Sequence, residues 1–193
     1  DRYLSVILAF NVKILQDALD EANSKGIKIF SENVIYNLIR VYKEWVEEEK
    51  RREEKYLFTA ITFPSKFKVM KGFIFRKSKP AIFGVEILEG RLRQKSQIMD
   101  SNGNDIGTIH QIQDKNQSIE EARKGMEVAI SMQEPVIGRH INEEDILYTY
   151  PKSEDAALLL TKFKNRLSEE ELRLLEEIIE KRRKVEALYA YTI

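Results

Sequence analysis

Residues 61–85 hold six cations, Lys66, Lys68, Lys71, Arg76, Lys77 and Lys79, and no carboxylate. The chain as a whole balances 32 Lys and Arg against 32 Asp and Glu, so this local asymmetry is its main electrostatic feature. Arg91, Arg93 and Lys95 extend it. Clustered ammonium and guanidinium groups bind phosphate backbones by releasing condensed counterions. Phe67, Phe73, Phe75 and Phe83 interleave with the cations, and an exposed ring there can stack on a nucleobase or pack against an aminoacyl group. The competing reading is that the rings fill a core while the lysines keep an edge strand soluble. Near the C-terminus lies a second candidate surface. Leu158, Leu159, Phe163, Leu175 and Ile179 recur at helical spacing, and Lys181, Arg182, Arg183 and Lys184 follow. Such helices suit a partner segment that mixes acidic and aliphatic residues, unless they pack on their own domain.

Several chemistries are missing from the sequence. There is no G-x-x-x-x-G-K-[ST] loop and no G-x-G-x-x-G turn. The chain has no cysteine, and its two histidines, His110 and His140, stand outside any motif, so no disulfide and no metal cage is expected. Glu120-Glu121 and Glu143-Glu144 are adjacent pairs that read as solvated turns rather than as an acid and a base. The chain is expected to bind rather than to catalyse, and to hold no cofactor of its own. No apolar run approaches the ~20 residues that span a bilayer, and no signal peptide opens the sequence. A cytoplasmic location without a membrane partner is therefore expected, and the Lys/Glu richness leans towards a heat-adapted source.

The candidate residues need elements to position them, and the pattern predicts an α+β chain in four parts. Residues 1–31 open with the apolar run YLSVILAF, the signature of a strand buried on both faces. Ile14, Ala18, Leu19 and Ala22 give helical spacing, Gly26 stands where a C-cap belongs, and residues 27–30 form a second short strand. A βαβ unit of this kind cannot cover its own faces, so more of its domain is expected upstream. Residues 32–60 read as a long connecting helix, capped by Ser31, with Ile35, Leu38, Ile39, Tyr42 and Val46 on one face. Its run EEEKRREEK has no apolar residue, and i,i+4 pairs support a rod of ~39 Å. Residues 61–151 carry β-rich segments at 66–75, 81–89, 96–99, 105–113 and 126–132, separated by turn residues, which predicts a small closed barrel. Asn102-Gly103 reads there as a type I′ hairpin turn. Residues 152–193 predict two helices, one capped by Ser153. The other starts at a Ser168-x-x-Glu171 capping box with a Leu167–Leu172 staple.

Two blocks of this sequence are not anonymous. FRKSKPAIFGVEILEGRLRQKSQIM (75–99) and DIGTIHQIQDKNQSIEEARKGMEVAISM (105–132) resemble the second-domain-type barrel of translational GTPases, with Gly84, Gly90, Ile106-Gly107, Glu121-Ala122 and Gly125 as the marks. PAIFGVEILEG, together with ILAFNVKI and KIFSENVIYNLI upstream, is similar to the archaeal–eukaryotic five-B family of translation initiation factors, homologues of bacterial initiation factor two. The resemblance covers nearly the whole chain: the end of the family's third domain, its connecting helix and its fourth domain. It implies a GTPase parent whose GTP and Mg lie in an N-terminal half, and a helix acting as a lever arm. It also implies a barrel that holds the acceptor end of methionylated initiator tRNA while the ribosomal subunits join.

Carried over from the bacterial motif, the tRNA contacts fall on Gly84, Val85, Gln113, Asp114, Lys115, Asn116, Glu127, Val128 and Ala129. The neighbouring Phe83, Arg76, Lys77 and Lys79 join them as stacking ring and phosphate contacts. The bacterial turn is rich in Lys and Arg, whereas here Lys115 is its one cation. The resemblance further implies that the C-terminal helices dock the C-terminal tail of initiation factor one-A, with Leu158, Leu159, Phe163, Leu175, Ile179, Lys181, Arg182 and Arg183 as contacts. The alternative is a protein-docking scaffold of a translational GTPase that makes no RNA contact.

Overall fold

The computed structural model describes Tyr3 and residues 5–191. They fall into two compact units that meet in sequence at Ala60 and Ile61.

In the first unit, β1 (Val6–Phe10) and β2 (Lys28–Glu32) are parallel and joined through α1 (Gln16–Ser24). Gly26 ends α1 at φ 65°, a left-handed conformation that costs a side-chain-free residue little. The Gly26 amide donates to Asn23 O and the Ile27 amide to Ala22 O, which satisfies the last helical carbonyls. The strands are less enclosed than their apolar run predicts. Ala9 and Phe30 are buried, but Ile7, Leu8 and Phe10 are nearly half exposed. The next helix, α2 (Ile35–Ala60), packs on β2 through Phe30, whose ring lies 5.9 Å from Tyr42 and 5.4 Å from Trp45. Ser31 is not its cap: the chain stays extended through Glu32 and α2 begins at Ile35. In the charged stretch Arg52 reaches the exposed Glu48 (2.9 Å) and the more covered Glu49 (3.0 Å), helix-surface pairs worth a few tenths of a kcal/mol (~0.3) each.

The second unit is built on a closed barrel. Its strands are β3 (Ser65–Arg76), β4 (Ala81–Arg93), β5 (Gln97–Met99), β6 (Asp105–Asp114), β9 (Glu127–Met132) and β10 (Ile146–Tyr150). They follow the order β3-β10-β5-β6-β9-β4, and β4 pairs back onto β3. Short strands β7 (Gln117–Ile119) and β8 (Glu121–Arg123) flank β6 and the end of β4. Alternate residues fill the interior, among them Phe67, Val69, Phe83, Val85, Ile109 and Ile130. The predicted strands are all present. The closing strand β10 and the two short ones are additional.

The Asn102-Gly103 turn is not type I′, because only Gly103 has positive φ (90°). Asp100 holds this turn instead, its Oδ1 accepting from the amides of Asn102 (2.8 Å) and Asn104 (2.9 Å). The two consecutive positive φ values of a type I′ turn fall at Lys115 (47°) and Asn116 (67°), between β6 and β7.

Two helices, α3 (Ser153–Leu160) and α4 (Glu169–Arg183), pack on the barrel. The capping box forms as predicted: the Glu171 amide donates to Ser168 Oγ (3.1 Å) and the Ser168 amide to Glu171 Oε2 (3.0 Å). The other oxygen of Glu171 accepts from Arg91 Nε (2.8 Å), whose guanidinium lies 4.1 Å from the centre of the Phe63 ring. One carboxylate thus caps the helix and pins it to β4. Ser153 is not a cap, since α3 already includes it; its hydroxyl accepts from the Ala190 amide (2.8 Å) and ties down the end of the chain.

Burial corrects the expected docking groove. Leu159, Phe163, Leu175 and Ile179 are all buried against the barrel or between the helices, so their apolar surface is already spent, and Leu158 is half-buried. Lys181 sits over the Tyr148 ring (5.1 Å) and Arg182 over the Tyr150 ring (4.5 Å). Arg182 also donates to Gly103 O (2.8 Å), and Arg183 Nε donates to Tyr189 O (2.9 Å). These cations hold the helix to its own domain.

Candidate functional site

The β3–β4 ladder runs without a shift from Phe67↔Ile87 to Val69↔Val85 and resumes at Ile74↔Phe83. Opposite Gly84 alone, residues 70–73 therefore bulge out of the sheet. Gly72 makes the turn possible at φ 79°. Its amide donates to Glu143 Oε1 (3.0 Å), the Glu144 amide donates to Val69 O (2.9 Å), and Lys68 pairs with Glu144 (3.1 Å). The segment before β10 thus clamps the base of the bulge.

The bulge turns Met70 and Phe73 away from the core. Phe73 and Phe75 stay exposed, with ring centres 6.5 Å apart, edge to face. A Cβ on Gly84 would stand 2.8 Å from Phe73 Cβ, so the absence of a side chain there is what lets Phe73 lie against β4. The opposite wall is the β6–β7 turn and the start of β9, brought together by the pairs Gln113↔Ala129 and Gly84↔Ala129. The result is an open cleft of about 350 Å³ lined by Met70, Phe73, Phe75, Gly84, residues 113–116 and residues 127–129.

Of the candidate residues, Gly84, Gln113, Asp114, Lys115, Asn116, Glu127, Val128 and Ala129 meet in this one cleft. Phe83 and Val85 do not. Both are fully buried, because alternation along β4 that turns Gly84 outward turns its neighbours into the core. Phe83 cannot stack on a base, and neither side chain can touch a ligand. Arg76, Lys77 and Lys79 are exposed but lie outside the cleft lining; Lys77 lines a separate hollow of about 430 Å³ with Ile74, Ile137 and Glu143. Met70 was not foreseen, although Lys71-Gly72 within a strand pattern is a bulge signal that would have found it.

The basic stretch divides in two. Its first half is neutralised: Lys66 lies within 4 Å of Glu89 (3.7 Å) and Glu177 (3.5 Å), and Lys68 pairs with Glu144. Arg91 and Arg93 are bound to Glu171 and Glu121. Among the described residues, Lys71, Arg76, Lys77, Lys79 and Lys115 form no ion pair; Lys115 lines the cleft, and Lys71, Arg76 and Lys77 flank Phe73 and Phe75 along the chain. Asp114 and Glu127, on the cleft wall, are likewise without an ion-pair partner among the described residues.

These features define a class of protein: a translation-factor barrel with terminal helices, preceded in sequence by a βαβ unit and a long helix. The Elongation factor Tu domain 4 family matches residues 63–148, and the Translation-initiation factor 2 family matches residues 2–43. A probable translation initiation factor IF-2 of Ignicoccus hospitalis is 48% identical over 189 residues, which is 97% of this chain and 31% of that protein. Its counterpart in Aeropyrum pernix is 48% identical over 185 residues, 95% of this chain and 30% of that one. The crystal structure of GDP-bound aIF5B from Aeropyrum pernix superposes with a TM-score of 0.66 at 47% identity, covering 96% of this chain and 31% of that chain. The chain belongs to the archaeal translation initiation factor IF-2 (aIF5B) family and corresponds to its C-terminal part, as the sequence resemblance implied. It spans about a third of the length of the relatives it matches.

Proposed function

We propose that the second unit binds the acceptor end of methionylated initiator tRNA during translation initiation, with the aminoacyl group in the cleft and the acceptor-strand phosphates on the unpaired cations around it. The observation that carries this reading is the assembly of one cleft walled by two exposed phenylalanines, Phe73 and Phe75, on the strand that also carries the exposed Lys71 and Arg76. Stacking on an aromatic ring contributes ~1–3 kcal/mol per base, and each free cation adds a salt-dependent phosphate contact. Titration of the chain with methionylated and with deacylated initiator tRNA tests it. Phe73→Ser with Phe75→Ser is expected to weaken methionylated tRNA binding at least about tenfold while the melting temperature holds. Unchanged affinity, or no RNA binding at any salt, would refute the reading and favour the scaffold alternative.

In the whole factor this binding supports ribosomal subunit joining. GTP and Mg belong to parts of the factor outside this chain, whose residues include no phosphate-cradling loop and do not fit a nucleotide. Docking of initiation factor one-A, if it uses the terminal helices, has to fall on the exposed Val185, Leu188 and Tyr191 rather than on the buried leucines. Replacing all three by alanine is the variant that tests it.

A further inference from the structure

We infer that Asn102 is a site of spontaneous deamidation gated by the C-terminal end of α4. Docked against that helix, the Asn102-Gly103 turn is held unreactive; undocked, it converts to aspartate and isoaspartate. The modification needs only water, and it is independent of what the cleft binds.

Asn102 is the one asparagine of the sequence that precedes a glycine. Reaction at such a pair starts when the Gly103 amide nitrogen gives its proton to solvent and attacks Cγ of the Asn102 side chain. A C–N bond forms, the bond from Cγ to Nδ2 breaks, and ammonia leaves. Water then opens the succinimide at either carbonyl, so one water is consumed for each ammonia released. Glycine favours the attack because it has no side chain in the way. In this fold Asn102 is exposed, but Gly103 is buried. The Gly103 amide, the nucleophile, donates to Asp100 O (3.2 Å), and Asp100 Oδ1 holds the amides of Asn102 and Asn104 on either side. The last turn of α4 closes over this arrangement. Arg182 donates to Gly103 O (2.8 Å), Lys181 Nζ donates to Ser101 O (3.3 Å), and a Cβ on Gly103 would lie 2.4 Å from Lys181 O. The nitrogen therefore cannot swing towards Asn102 Cγ until the helix end lifts, and the rate follows that local opening. In the isoaspartate product the main chain is longer by a methylene. The contacts of residues 101–103 with Lys181 and Arg182 cannot then all be remade, and a passing opening becomes a permanent one.

Mass spectrometry of the intact chain, incubated in mildly alkaline buffer well below its melting temperature, tests this. Trypsin cuts after Lys95 and Lys115, so one peptide carries Asn102 together with Asn104 as an internal control. Conversion is expected at Asn102, at least about tenfold slower in the folded chain than in the same chain held unfolded in guanidinium chloride. Arg182→Ala removes the hydrogen bond to Gly103 O and is expected to speed conversion by about fivefold or more. Glu171→Ala loosens the opposite end of α4 and leaves the turn's contacts in place, so it separates local gating from general destabilisation. Its rate is expected to stay within about twofold of wild type. The inference is overturned if the folded chain reacts as fast as the unfolded one, if Arg182→Ala changes nothing, or if Glu171→Ala accelerates the reaction as much as Arg182→Ala does. Chain purified with isoaspartate at position 102 is expected to melt below the unreacted chain, and equal melting would overturn the permanent undocking.

Discussion

Gly84→Ala adds one methyl group at the floor of the cleft, and its consequence can be worked out from distances. The new Cβ would lie 2.8 Å from Phe73 Cβ, 3.4 Å from Phe73 Cγ and 3.6 Å from Met70 Sδ. Carbon atoms in good contact sit at ~3.5–4.0 Å, so Phe73 must retreat by about 1 Å. The nearest atom is Cβ, which no rotamer change can move, so residues 70–73 have to shift together. That shift works against the Gly72–Glu143 hydrogen bond and the Lys68–Glu144 pair. Overpacking of this kind costs ~1–3 kcal/mol. Displacing the aromatic wall is expected to weaken binding of methionylated initiator tRNA by about tenfold, equivalent to ~1.4 kcal/mol. Thermal melting and a fluorescence titration read the two effects separately. A Gly84→Ala protein that melts and binds like wild type would show that the bulge gives way freely, and the reasoning that makes Phe73 an anchored wall would be refuted.

Arg76→Ala with Lys77→Ala is expected to lower the slope of log affinity against log salt by ~1.4–1.8, whereas Lys66→Ala, already neutralised by Glu89 and Glu177, leaves that slope unchanged. Glu171→Ala removes the carboxylate half of the α4 capping box, which accepts from the Ser168 amide, and the partner of a partly buried Arg91, and is expected to cost ~2–3 kcal/mol in denaturant unfolding; Glu170→Ala, which breaks only the exposed pair with Lys124, stays within ~0.5 kcal/mol. Burial first, and then its hydrogen bond to Asp105, push the Tyr150 phenol up to about 12, and burial also raises Tyr148 and Tyr189. The folded state therefore favours the neutral phenols: their contribution is complete below the unfolded value of ~10 and is lost as pH climbs from there through about 12. Unfolding free energies measured across that window should decline, and Tyr150→Phe should flatten part of the decline. A Tyr150→Phe protein with an unaltered slope would contradict the assignment.

Local signals were legible where one residue type decides the geometry. Gly26 and the Ser168–Glu171 box announce helix ends because only those chemistries satisfy the orphaned backbone groups there, and both are realised. The five segments that read as strands do so through inward-facing β-branched and aromatic residues, and the barrel follows. β10 was missed because Glu143-Glu144-Asp145 ahead of it looks like a solvated turn and ILYTY is short; what makes it a strand is pairing with β3 and β5, far away in sequence. Ser31 and Ser153 failed as caps for a related reason. A serine before an apolar run is compatible with several roles, and here one continues a strand while the other holds Ala190. At the site, the resemblance marked positions along β4 without regard to the face each one occupies. Period-two alternation sorts them: Gly84 outward to the cleft, Phe83 and Val85 inward to the core. The docking groove failed because composition cannot say whether an amphipathic face is already covered, and α4 covers its own against the barrel.

The last strand of the barrel to be synthesised is the one that joins its first to its middle: Leu147 lies against Phe67, and Tyr148 against Met99. Until the chain has been translated through Tyr150, β3 and β5 each expose a bare backbone edge, so closure is a late event and the nascent barrel is vulnerable to pairing with strangers. Fragments ending before residue 146 should precipitate rather than behave as trimmed binding modules. The smallest autonomous piece has to run past Tyr150. Because Tyr148 donates to Glu177 and the Tyr189 hydroxyl reaches back to Pro151 O, it has to keep the terminal helices too.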